Sequence, residues 1–133
     1  MEILNVLAAA VASYAFGAIW YMVLAKPWMA AAGISEDQIK DADGKMKGGP
    51  TPFIIAFIGA IFVAGMMRHI FSLAGITEVD KGFISGLGLG LFIATPWIAT
   101  NYGFTMRPRA LTLIDGGYAT IGCAIMGTVL TLF

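Results

Sequence analysis

Most of the side chains that could do chemistry lie in one stretch, NYGFTMRPRALTLIDGGY, from Asn101 to Tyr118. Arg107 and Arg109 could grip an anion, Asp115 could carry a proton, and Asn101 could bind a polar ligand. Trp20, Tyr21 and Trp28, far earlier in the chain, offer rings for stacking. Arg68 and His69 form a second polar pair, and His69 could shuttle protons or hold a quinone-like head group. His69 is the only histidine and Cys123 the only cysteine. That leaves no Cys/His set for a structural zinc and no internal disulfide, so Cys123 reads as a small buried hydrophobe. No phosphate loop, haem-attachment motif or nucleophile–base–acid set is visible. No catalytic residue, metal ligand or cofactor is expected, and the chain reads as a non-enzyme.

The elements that must position these residues are membrane helices. Of 133 residues, 59% are hydrophobic and 12% charged, with a mean hydropathy of +0.83. A soluble domain carries about 25% charged residues and cannot hide so much apolar surface. Eight basic and eight acidic side chains cancel, so there is no basic excess to hold nucleic acid. Four windows have the ~20 apolar residues that a bilayer crossing needs: about 3–25, 53–74, 82–102 and 113–133. The fold expected is an all-α integral membrane four-helix bundle in a single domain, 1–133. The opening MEI lacks the basic start of a signal peptide, so the first span is read as uncleaved.

Lys26, Lys40, Lys45, Lys47, Arg107 and Arg109 fall in loops one and three, against Arg68 and Lys81 on the side of the termini. The positive-inside rule then puts loops one and three in the cytoplasm and both termini outside. Trp20, Tyr21, Trp28 and Tyr118 read as an interfacial belt. In loop one (26–52), Ser35 with Gln38 three residues on is a capping-box pattern, which predicts a short cytoplasmic helix from about Glu36 to Ala42. The following DGKMKGGPTP reads as a flexible return. Thr112 followed by Asp115 repeats the capping spacing. Asp115 is therefore expected as a cap of span four, within reach of Arg107 or Arg109, and Arg68 as a partner of Glu78 or Asp80.

Small residues set the packing. Gly82, Gly86, Gly90 and Ala94 recur every four residues on span three, a spacing that lets helix backbones approach closely. Ala9, Ser13 and Gly17 do so on span one, Ala56, Ala60 and Ala64 on span two, and Ala119, Cys123 and Gly127 on span four. Which face meets which is not readable. Pro96 should kink span three, with Thr95 or a neighbouring helix bonding the freed carbonyl.

Two motifs carry a resemblance. Gly17, Trp20 and Tyr21 with the later Trp28 form a Gly-x-x-Trp-Tyr…Trp pattern. Asn101, Tyr102, Phe104, Arg107 and Pro108, then Ile114, Asp115, Gly117 and Tyr118, form Asn-Tyr-x-Phe-x-x-Arg-Pro and Ile-Asp-x-Gly-Tyr. Together they resemble the small bacterial membrane proteins of the domain-of-unknown-function family seventeen sixty-one. The resemblance covers nearly the whole chain. It implies four helices in a bacterial inner membrane and no particular activity.

The function expected is a non-enzymatic accessory or assembly subunit of a larger membrane complex. Its partners would be the lipid bilayer and a membrane protein or further copies of itself. The rival is a small homo-oligomeric transporter or channel with a polar path near Pro96, Asn101 and Arg107. A quinone- or lipid-binding role at His69 or Arg107 is a third reading.

Overall fold

The structure, a computed structural model, describes residues 2–133. Four helices are long and apolar enough to cross a membrane: Glu2–Val23, Thr51–Ala74, Val79–Phe104 and Arg109–Leu132. In chain order the elements are α1 (Glu2–Val23), α2 (Ala25–Ala32), α3 (Glu36–Ile39), α4 (Thr51–Ala74), α5 (Val79–Leu89), α6 (Thr95–Phe104) and α7 (Arg109–Leu132). A π-helical stretch, Gly90–Ala94, joins α5 to α6 within the third span. Among the described residues the only extended pairing is an isolated bridge between Lys40 and Met46. The chain is all-α. The spans run up and down, with one end of the bundle carrying loops one and three and the other carrying the α4–α5 turn, the start of α1 and the end of α7.

The fourth span is the hub, packing against α1, α4, α5, the π stretch and α6. Its tightest partner is α5. A Cβ added at Gly82 or Gly86 would collide with the backbone at Gly127 or Cys123, and one at Gly127 with Gly82. The small faces of spans three and four therefore meet each other, backbone on backbone. The small faces of spans one and two share a core with span four, where Ala9, Ala10, Ala60, Ala64, Met67, Phe71, Met126 and Leu130 are buried. Ala56 stays exposed.

The expected four-residue rhythm of span three breaks after Gly90. The π stretch adds one residue to the turn, so the next residue on the span-four side is Thr95, not Ala94. Thr95 lies against Gly116, where an added Cβ would meet its side chain. The Thr95 hydroxyl is 2.8 Å from the Gly90 carbonyl oxygen, 3.1 Å from that of Gly116 and 3.1 Å from the Thr120 hydroxyl. Its single proton can go to only one of these three oxygens. Pro96, without an N–H, comes at the start of α6, where a helix tolerates it. The expected disturbance takes the form of a π turn, closed by the Thr95 amide on the Gly90 carbonyl, which is not the carbonyl that Pro96 leaves free.

Loop one is more structured than expected. The first span ends at Val23, and α2 turns over the loop end of the bundle. Its Ala31 and Ala32 pack with Leu111 of α7. The short helix α3 forms at Glu36–Ile39, three residues shorter than expected, with the Ser35 amide donating to Gln38 Oε1 at 2.8 Å. After it, Asp41 Oδ1 accepts from the amides of Asp43 and Lys45, which makes an ordered turn of the segment read as flexible.

Candidate functional site

Span four does not start at Thr112. Pro108 precedes the first helical residue, Arg109, and the helix runs through Thr112. Arg, Ala and Leu are good helix formers, and Leu111 gains burial against α2 by being helical. Asp115 therefore lies two turns inside the helix, and the expected cap does not exist. Its carboxylate instead faces two other spans. Tyr21 of α1 donates to Oδ1 at 2.6 Å, and Tyr102 of α6 donates to Oδ2 at 2.5 Å. One half-buried carboxylate thereby ties three membrane helices together.

The surroundings interlock. Trp20 Nε1 donates to the Ile114 carbonyl at 3.0 Å, and a Cβ at Gly117 would strike the Trp20 ring. In return, a Cβ at Gly17 would strike the Tyr118 ring. Each helix gives up a side chain where the other inserts an aromatic. Tyr118 also meets Tyr21 edge-on at 5.4 Å between centroids and stacks on Phe16 at 6.2 Å. Trp28, carried by α2, reaches Tyr21 edge-on at 6.3 Å. Trp20, Tyr21 and Tyr118 are thus half-buried between helices.

Arg107 does not pair with Asp115. Its guanidinium donates to the Ala32 carbonyl at 2.8 Å, at the C-terminal end of α2, where a cation is favoured. Asn101 also stands outside the cluster, exposed on α6, among other exposed residues such as Trp97 and Phe104. Among the described residues its side chain makes no hydrogen bond. Of the eight residues singled out in the sequence, Trp20, Tyr21, Trp28, Tyr102, Asp115 and Tyr118 come together. Arg107 joins at the edge and Asn101 does not.

At the opposite end, Arg68 is 3.8 Å from Glu2 across α1 and α4. Glu78, expected to pair with Arg68, pairs with Lys81 at 2.7 Å. One polar residue was missed altogether. Asn5, 2% exposed on α1, donates to the Leu130 carbonyl at 3.1 Å and to that of Phe133 at 2.7 Å. The signal was available, since an amide within an apolar span is costly unless paired.

Two surface clefts adjoin residues singled out in the sequence. One, of about 410 Å³, lies between α1 and α4 around Glu2, Arg68 and His69. The other, of about 270 Å³, lies beside the π stretch around Phe92, Pro96 and Trp97. Neither is lined by Asp115.

Fold and site together define a membrane-type four-helix bundle clasped at one end by an aspartate and two tyrosines. The model of the family described as "Protein of unknown function (DUF1761)" matches residues 4–131. The chain belongs to that family. The clasp is built from the same two motifs that carried the resemblance. No curated protein and no solved structure matches the chain.

Proposed function

We propose that this chain is a non-enzymatic accessory or assembly subunit of a larger complex in the bacterial inner membrane, with loops one and three in the cytoplasm. The observation that carries the reading is the contrast between Asp115 and Asn101. Both oxygens of Asp115 are bonded to tyrosines of the same chain, so its chemistry serves cohesion of the bundle. Asn101 presents an amide on the outer face of α6, beside Trp97 at 69% exposure and Phe104 at 86%. An exposed amide near the end of an apolar span gains from a polar partner on another helix, and an interhelical hydrogen bond supplies one. The partner is a membrane helix with a polar side chain at matching depth.

Purification from native membranes in mild detergent tests this. The chain should co-purify with another membrane protein, and Asn101→Leu should weaken that association without lowering yield. A chain that runs alone as a monomer removes the proposal.

The same face favours a second reading, a small homo-oligomeric transporter. A shallow, mainly apolar cleft lined by Phe92, Ile93, Pro96, Trp97 and Thr100 lies on the same span as Asn101, and facing copies that brought Thr100 and Asn101 together would supply the polar positions of a path. Arg107, held by Ala32, would stand aside from it. Liposome flux unaffected by Asn101→Leu would eliminate that path.

A further inference from the structure

The cleft between α1 and α4 has a polar mouth and an apolar floor. Glu2, Arg68, His69 and Ser72 stand at the end where α1 begins and α4 finishes. The floor runs inward along Val6 of α1 and Gly65 and Ile61 of α4. This is the polarity of a lipid, head at the membrane face and chain toward the centre. Among the described residues the mouth holds one guanidinium and one carboxylate. The Arg68–Glu2 separation of 3.8 Å is an ion pair too long for a hydrogen bond. Arg68 Nε is buried and, among the described residues, has no hydrogen-bond partner. The Glu2 side chain is 74% exposed and stands further out than Arg68, at 29%. Among the described residues the guanidinium's terminal nitrogens thus make no hydrogen bond, and the anion beside them stands at the outer edge of the mouth.

We propose that this cleft binds one amino-phospholipid. Its phosphate is bonded by Arg68 and His69, its ammonium group pairs with Glu2, and one acyl chain lies along Val6, Ile61 and Gly65. Arginine suits a phosphate because its planar fork donates several N–H groups. Glu2 gives the selectivity, attracting an ammonium and repelling a headgroup that is only anionic.

The test uses the full chain purified in detergent, with binding read by native mass spectrometry and by thermal shift. The probes are short-chain phosphatidylethanolamine, short-chain phosphatidylglycerol and phosphoethanolamine without chains. Phosphatidylethanolamine should bind and raise the melting temperature. Phosphatidylglycerol should bind several-fold more weakly, and phosphoethanolamine should not bind measurably. Arg68→Gln should weaken phosphatidylethanolamine by about tenfold, the scale of a lost hydrogen bond to a charged group. Glu2→Gln should erase the preference between the two lipids. Gly65→Leu offers an arm independent of charge. Open contact with Val6 at 4.0 Å leaves room for a Cβ there, and the rest of the leucine fills the floor, so lipid binding should fall while the melting temperature without lipid holds. Equal binding of phosphoethanolamine would assign the site to a soluble phosphate source and overturn the lipid. Equal or tighter phosphatidylglycerol would overturn the zwitterion, and unchanged binding in Arg68→Gln and Gly65→Leu would overturn the site.

Discussion

The two ends of the bundle each set an acid against neighbouring helices, with opposite results. At the loop end, Asp115 is reached by tyrosines from two other spans and both of its oxygens are bonded. At the terminal end, Glu2 stays exposed, and Arg68 approaches it only to 3.8 Å. The difference lies in how many helices converge. Around Asp115, α1, α6 and α7 close together, and α2 with Trp28 and Arg107 covers them. Around Arg68 only α1 and α4 meet, and a groove remains open between them. A polar group enclosed by three helices holds a fold, whereas one flanked by two stays available to something outside the chain.

The comparison breaks most completely where the closed half depends on backbone contact. Gly127→Leu would force span four from span three, since even a Cβ collides with Gly82. Overpacking of this kind costs about 3 kcal/mol or more, so little folded protein should survive detergent extraction, as read by size exclusion. Next comes Asp115→Ala, which strands two half-buried hydroxyls at a cost of about 2–4 kcal/mol, read as a lower melting temperature. Tyr21→Phe and Tyr102→Phe each lose one bond and should cost about 1–2 kcal/mol. In a double-mutant cycle with Asp115→Asn, the tyrosine effects should shrink. Additive losses would mean that the clasp is not a unit. Thr95→Val should cost about 0.5–1.5 kcal/mol, the range of interhelical hydrogen bonds in membranes. Smallest is Arg68→Gln, whose partly exposed ion pair should shift lipid-free stability by no more than about 0.5 kcal/mol. A drop as large as that of Asp115→Ala would show the terminal end to be as structural as the loop end.

Much of this architecture is legible in the sequence, because hydropathy and small-residue spacing are local patterns. The four spans and the small face at Gly82, Gly86 and Gly90 were readable that way. The pairing of that face with Gly127 was not, because all four helices carry similar faces and only their relative placement chooses between them. Asp115 shows the limit most sharply. The spacing Thr112-x-x-Asp115 is a genuine cap pattern, yet burial of Leu111 beneath α2 extends the helix past it. The tyrosines that replace the cap come from distant segments, which no local window contains. At Pro96 the disturbance was expected and its form was not, since a π turn depends on what Gly90 and Thr95 meet across the helix interface.

The central position of α7 bears on how the protein is made. Synthesis delivers α1, α4 and the third span first, and domains fold as they emerge. Until the last span enters the bilayer, Asn5, Tyr21 and Tyr102 lack the acceptors that α7 supplies, and the glycine face of span three has nothing against it. The nascent chain therefore passes through an interval in which its most polar intramembrane groups are unsatisfied. Arrival of the fourth helix then supplies hydrogen-bond acceptors at both ends of the bundle together, to the Asn5 amide at one and to Tyr21 and Tyr102 at the other.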